Sequence, residues 1–133
     1  MIKQWLIWLL FFVGFQGVLK AQNSINIDSV YTVAEQMPEP VGGYPKFYKY
    51  LDENIYYTQT AIDKKIEGYV FVQFIVNKAG KLENIKIVKG LGYGLDEEVI
   101  RVFEESPVWF VGKEKNTPIK VRMTFSVVFR LPK

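Results

Sequence analysis

The side chains that could carry acid–base chemistry are carboxylates, lysines, tyrosines and hydroxyls, because the 133-residue chain contains no histidine and no cysteine. This composition excludes Ser-His-Asp and Cys-His nucleophile systems, thiol redox chemistry, disulfides and His/Cys zinc sites. The acidic residues group in three clusters, Asp52-Glu53, Asp96-Glu97-Glu98 and Glu104-Glu105. Each cluster lies on a predicted helix, where adjacent residues do not face each other. We therefore expect solvated helix faces, with no catalytic residue, no enzyme activity, no metal site and no cofactor.

Two further segments look like ligand-binding motifs but lack residues that those motifs require. The glycine-rich segment 90–94 precedes a predicted helix, yet it has neither the lysine of a phosphate-binding loop nor the G-x-G-x-x-G spacing. Segment 67–74 is similar to an RNA-stacking strand, but Glu67 and Val70 replace its basic and small residues. The formal net charge of +3 is also small. We expect no nucleic-acid partner and no small-molecule substrate.

The N-terminal segment 1–21 has the features of an export signal. Lys3 precedes an apolar run that begins at Trp5, and Ala21 places a small residue before Gln22. This order of positive, apolar and small residues is typical of a cleaved signal peptide. As a helix, residues 5–19 would span about 22 Å, which is short of the roughly 30 Å hydrocarbon core. We expect cleavage, and the alternative is a membrane anchor formed by residues 5–19.

The elements that would position any site follow from the hydrophobic periodicity. Residues 22–29 are polar and predict a disordered lead-in, and residues 30–133 predict one domain. In chain order, the patterns first predict a short strand at 30–33 and a helix that begins at Pro45, breaks near Tyr56 and resumes to residue 66. Two strands follow at 69–76 and 82–88, with a bulge near Glu83-Asn84. A helix from Leu95 to Ser106 and a long strand at 119–131 complete the domain. This β-α-β-β-α-β order predicts the α+β class, with an antiparallel sheet of three to four strands and two helices packed on one face.

A series of short motifs runs through residues 31–131. In order, they are Pro38-Glu39-Pro40-Val41-Gly42-Gly43, Tyr57, Ala61, Lys65-Ile66-Glu67-Gly68, the strand to Val76, Gly80, Gly90-Leu91-Gly92, Leu95-Asp96, Arg101, Ser106-Pro107-Val108-Trp109 and Gly112-Lys113. Their order and spacing resemble the C-terminal domain of TonB, the energy transducer of the Gram-negative envelope. The resemblance implies structural roles for Pro40, Gly42, Gly43, Tyr57, Gly68, Gly80, Asp96, Arg101, Pro107 and Trp109.

The sequence departs from the family pattern at three places. Thr58 and Val111 stand where the family often has proline, which changes local turns. A full transducer carries a long Pro-rich spacer between its membrane helix and this domain, and no such spacer lies between Ala21 and Val30.

The resemblance implies a periplasmic, non-enzymatic domain that binds an extended peptide of an outer-membrane transporter or receptor by strand addition, in energy-dependent transmembrane transport. The long final strand is the expected edge, and the expected partner contacts are Lys120, Val121, Arg122, Met123, Thr124 and Phe125. The sequence leaves two alternatives: the domain could form a homodimer, and residues 5–19 could form an inner-membrane anchor. The alternative function is a secreted structural or carbohydrate-contacting envelope domain that uses exposed aromatic residues such as Tyr69, Phe71 and Trp109.

The signal-peptide interpretation makes a direct prediction about mass. The protein isolated from the envelope fraction should begin at Gln22 or within a few residues of it, which intact-mass spectrometry can measure. A full-length species in the membrane fraction would contradict cleavage and support the anchor.

Overall fold

The computed structural model describes residues 25–26 and 28–132. The expected signal peptide and part of the expected lead-in lie outside the described residues. The described elements are, in order, β1 (Val30–Tyr31), β2 (Glu39–Pro40), α1 (Tyr44–Asn54), α2 (Gln59–Asp63), β3 (Gly68–Val76), β4 (Leu82–Lys89), α3 (Leu95–Glu104), β5 (Trp109–Phe110), β6 (Gly112–Glu114) and β7 (Thr117–Phe129). Among these helices, none has the length and apolar character that a membrane span requires.

The main sheet has the strand order β1-β7-β3-β4, and β6 also pairs with β7. Strands β3 and β7 are antiparallel and pair without a register shift from Gly68 with Phe129 to Val76 with Val121. Strand β4 is antiparallel to β3. The predicted α+β class is therefore confirmed, but the sheet is mixed. Strand β1 runs parallel to β7. The two strands are far apart in the sequence, so no hairpin forces them to be antiparallel.

Helices α1 and α3 cover one face of this sheet. Alternate residues of β3, from Val70 to Val76, have no solvent exposure on the covered face. The ring of Phe47 on α1 lies within 5.8 Å, centroid to centroid, of the rings of Phe103, Trp109 and Phe125. These three rings come from α3, β5 and β7, so one side chain joins both helices to the sheet. Burial of this apolar surface is the main source of stability that fixes α1 beside β7.

The segment before β7 forms a hairpin with it, whereas the sequence pattern predicted no strand between Ser106 and residue 119. Strand β6 pairs with the start of β7, and the last pair joins Glu114 to Thr117. The two residues between them, Lys115 and Asn116, both have positive φ angles, of 48° and 62°. Positive φ at both positions defines a type I′ turn, whose twist matches that of the flanking strands. This turn fixes which backbone groups of β7 face β6.

An ion-pair cluster joins α3 to the end of α1. The Nη2 group of Arg101 donates to the backbone oxygen of Asn54 at 2.6 Å. The same guanidinium pairs with Glu98 at 2.9 Å and with Glu105 at 3.0 Å. Glu98 accepts a hydrogen bond from the backbone N–H of Tyr56 at 2.9 Å. These contacts satisfy a carbonyl group at the open end of α1 and so hold α1 in place.

Two acidic residues of α3 are engaged in structure, so the expectation of solvated carboxylates on that helix is wrong for them. The carboxylate of Asp96 accepts from the backbone N–H groups of Leu91 and Gly92, at 2.9 Å and 3.3 Å. The side chain of Glu98 is only 18% exposed. The hydrogen bond from Arg101 is the main cause that lowers the pKa of Glu98; burial opposes it and the N–H of Tyr56 reinforces it.

Replacing Glu98 by glutamine tests this cluster. Glu98→Gln should lower the free energy of unfolding by about 1 kcal/mol near pH 7, because it removes a charge-assisted hydrogen bond. The pKa of Glu98 is lowered in the folded state, so its contribution is complete above the unfolded pKa and disappears as the pH falls through the folded pKa. Denaturant titrations of the two proteins should therefore converge as the pH falls below the usual range of a glutamate pKa.

The matched control is Glu97→Gln, which changes an exposed carboxylate in the same helical turn. It should leave the free energy of unfolding nearly unchanged at every pH. A difference between wild type and Glu98→Gln that stays constant into acid would contradict the ion-pair explanation.

Candidate functional site

The outer side of β7, opposite β3, is only partly covered. Lys120 and Val121 pair with β1 on this side. From Arg122 to Phe129, no strand among residues 25–26 and 28–132 pairs with the outer side. The expected edge therefore exists over this part of the strand, whereas Lys120 and Val121 are already paired within the domain.

The turn between β3 and β4 determines which amides of β7 point to the free edge. The N–H of Asn77 donates to the oxygen of Lys81, so the backbone groups of Asn77 face β4. Successive residues of a strand direct these groups to opposite sides, so those of Val76 face β7, where Val76 pairs with Val121. The amides of Met123, Phe125 and Val127 consequently face β3, and those of Thr124 and Ser126 face the free edge. The pairing with β3 has no bulge that would change this alternation.

A groove runs along the free edge between β7 and α1. It encloses a cavity of about 260 Å³, and five consecutive residues of the chain, Ser126 to Arg130, line it. A groove on one face of the strand would be lined only by alternate residues. Lining by consecutive residues therefore indicates that the groove runs along the edge of the backbone. Its other wall is formed by residues on and just after α1, namely Tyr48, Leu51, Asp52, Ile55 and Tyr57. The ring of Tyr48 also lies 5.5 Å from that of Phe125.

The groove residues on α1 were not among the site residues expected from the sequence. The helical spacing of Leu51 and Ile55 indicates an apolar face, but it does not say which strand that face meets. The register of β3 with β7 decides this, because it places the end of β7 under α1. Ser126 to Arg130 were missed because the pattern of alternation is uniform along the strand.

The opposite edge of the sheet, on β4, is less regular. Its pairing with β3 shifts register twice, once beside Asn84-Ile85 and once beside Val88. Asn84 has a φ of 52°, which is uncommon outside glycine. The expected bulge near Glu83-Asn84 is thus confirmed. Bulges and charged side chains such as Lys86 and Lys89 are features that protect an edge from further pairing.

The face of the sheet away from the helices carries two aromatic rings. Tyr69 is 50% exposed, and its ring centroid lies 6.2 Å from that of Phe71. Both residues belong to β3 and point away from the core. Trp109, by contrast, is 3% exposed and donates from Nε1 to the hydroxyl of Ser106 at 3.2 Å. Trp109 therefore cannot serve as an exposed sugar-stacking residue.

Several of the family-motif residues surround Trp109. Pro40 on β2 pairs with Trp109, and Pro107 lines a second cavity together with Pro40. The N–H of Trp109 donates to the oxygen of Gly80 at 2.8 Å. A Cβ atom at Gly80 would lie 2.2 Å from the backbone oxygen of Trp109, and the φ of Gly80 is +78°. Only glycine permits this approach, which joins the β3–β4 turn to β5.

The remaining motif residues lie at the ends of elements. Gly42 and Gly43 precede α1, and Gly68 begins β3. The hydroxyl of Tyr57 donates to the backbone oxygen of Ile66, and burial is the main cause that raises the pKa of Tyr57. Asp96 and Arg101 make the contacts described above. All of these placements are structural, and only Tyr57 also lines the groove.

Comparisons with known proteins give one family. The family described as "Gram-negative bacterial TonB protein C-terminal" matches residues 53–131. Among solved structures, the chain is similar to the NMR solution structure of the Helicobacter pylori TonB C-terminal domain, with 21% sequence identity and a TM-score of 0.48. That match covers 67% of this chain and 80% of the other, and its TM-score is too low to support a detailed comparison. No curated protein matches the chain.

The family match covers more than half of the chain and includes α2, both hairpins, α3 and β7. It therefore includes the whole free edge of β7 and the strand that pairs with it. The chain belongs to the family of TonB C-terminal domains.

Proposed function

We propose that this chain is a periplasmic, non-enzymatic domain that binds an extended peptide of an outer-membrane transporter or receptor by strand addition. The observation that carries the proposal is the free outer side of β7 from Arg122 to Phe129, beside the groove on α1. The TonB family supports the link to energy-dependent transport across the outer membrane. The proposed contacts are centred on Arg122 to Arg130, because Lys120 and Val121 already pair with β1.

Strand addition suits this edge physically. A peptide that pairs with β7 would accept hydrogen bonds from the outward N–H groups of Thr124, Ser126 and Val128, and these main-chain bonds supply affinity. Its alternate side chains would point into the groove beside Leu51 and Ile55, where burial of apolar groups adds affinity and selectivity. The outer edge of β4 is a weaker candidate because its bulges interrupt the regular spacing of such groups.

A second candidate function rests on Tyr69. Its half-exposed ring, beside Phe71 on the uncovered face, could stack on a sugar of the envelope, as in a structural or carbohydrate-contacting domain. Trp109 no longer supports this alternative because it is buried. The two candidates use different surfaces, so substitutions and probes at the edge and on the open face separate them.

Proline substitutions test the alternation of amides along β7. Met123→Pro removes an N–H that faces β3 and should lower the free energy of unfolding by about 3 kcal/mol. Thr124→Pro removes an N–H that faces the free edge, so it should cost much less when compared with Thr124→Ala, which removes the same side chain. Chemical denaturation measures both differences. Equal destabilisation by the two prolines would mean that β7 is paired on both sides.

The same variants test binding. A synthetic peptide from the periplasmic segment of an outer-membrane transporter of the same cell should bind Thr124→Ala in a calorimetric titration. It should bind Thr124→Pro about tenfold more weakly or worse, because a main-chain hydrogen bond is lost and a buried acceptor remains unpaired. Equal affinities would contradict strand addition at this edge.

Site-specific photo-crosslinking tests the proposal in the cell envelope. A photoreactive amino acid at Ser126, which lines the groove, should crosslink to an extended segment of an outer-membrane transporter. The control places the same amino acid at Tyr69, on the open face of the sheet. Crosslinks to polysaccharide from Tyr69, with none to a transporter from Ser126, would support the second candidate instead.

A further inference from the structure

We infer that the free edge of β7 discriminates by charge: it rejects a second copy of this chain and prefers a peptide with an acidic residue at each end of its solvent-facing side. Arg122 and Arg130 are the residues that determine this preference. The inference rests on the proposed strand addition for the peptide, but the rejection of a second copy does not depend on it.

The two arginines bracket the free edge. Arg122 immediately follows the segment that pairs with β1, and Arg130 immediately follows the last residue of β7 and lines the end of the groove. Both are exposed. Arg122 lies on the open face, since Met123 and Val121, its neighbours along the strand, face the helices. Arg130 is an even number of residues further along the strand, so it lies on the same open face.

Neither arginine has an acidic partner among residues 25–26 and 28–132. The carboxylates that neighbour them in the sheet are engaged elsewhere. Glu83, on the far side of Ile75 from Arg122, pairs with Lys120 at 3.7 Å. Glu67 accepts a hydrogen bond from the N–H of Leu131 at 2.8 Å. The guanidinium groups are therefore available to charges on an added strand.

A second copy would bring these charges together. Two free edges can pair antiparallel about a two-fold axis, and the register that uses the whole edge is centred on Ser126. This register places Arg122 of each copy directly opposite Arg130 of the other. The outward N–H groups belong to the even-numbered residues, so these arginines would form hydrogen-bonded pairs, whose side chains are direct cross-strand neighbours on the open face. Like charges at such positions oppose pairing, and a shifted register uses a shorter length of the edge.

A foreign peptide can satisfy the same two positions. Residues opposite Arg122 and Arg130 would lie on the open face, where a carboxylate could pair with each guanidinium. The residues between them would meet Thr124, Ser126 and Val128, which require no charge. Side chains on the groove side should be apolar and not acidic, because Leu51 and Ile55 line the groove and Asp52 lies beside them. The preferred peptide therefore alternates apolar and polar residues, with acids at the ends of the polar side.

Charge reversal tests the rejection of a second copy. Arg122→Glu places a carboxylate opposite Arg130 of a second copy at both ends of the pairing, so this variant should dimerise at a concentration where the wild type is monomeric. The double variant Arg122→Glu, Arg130→Glu restores like charges and should be monomeric again. Lys78→Glu makes the same change of charge in the β3–β4 turn, away from the free edge, and should remain monomeric. Sedimentation equilibrium of the mature protein at low ionic strength measures all four.

A wild-type protein that dimerises, with Thr124→Pro abolishing the dimer, would overturn the inference. An Arg122→Glu variant that stays monomeric would also overturn it, since the arginines would then not be the cause of rejection.

Peptide charge tests the preference. The probe is a nine-residue peptide with glutamate at positions one and nine, threonine at the other odd positions and valine at the even positions. It should bind the wild type about tenfold more tightly than the same peptide with lysine at both ends. The order should reverse for the double variant. If neither peptide binds, strand addition itself fails; if both bind equally, only the charge preference fails.

Discussion

The antiparallel pairing of β3 with β7 is the constraint on which the rest of the structure depends. It runs without a shift from Gly68 with Phe129 to Val76 with Val121, and it brings the apolar residues of both strands to one face. A slip of one residue would turn Val70, Val72 and Phe74 toward water, so the buried face fixes the register. The helices then have one place to pack, because Phe47 must meet Phe103, Trp109 and Phe125 together.

This pairing also determines what remains free. All inward amides of β7 along that length belong to β3, so any further strand must use the outward amides. The short strand β1 covers the outer side only at Lys120 and Val121. The position of α1, fixed by the core and by the contact of Arg101 with Asn54, provides a wall for the remaining edge. The free edge and its groove thus arise from the packing of the domain.

Much of the fold could be predicted because the signals are local. The alternation from Ile119 to Phe129 and the helical spacing of Phe47, Tyr50 and Leu51 each fix an element and its buried face. The parallel pairing of β1 was missed because a two-residue strand carries no directional signal. Strand β6 was missed because Lys115-Asn116 is not a common type I′ turn sequence. The role of Glu98 was missed for a different reason: its partners, Tyr56 and Arg101, meet only after the helices pack.

The measurement that tests the central claim most directly is amide hydrogen exchange along β7, resolved residue by residue by NMR. In the free protein, the amides of Met123, Phe125 and Val127 should exchange slowly and those of Thr124 and Ser126 quickly, since only the first set is bonded to β3. Adding a bound peptide should slow the second set. Uniformly slow exchange of all five amides in the free monomer would contradict a free edge on this strand.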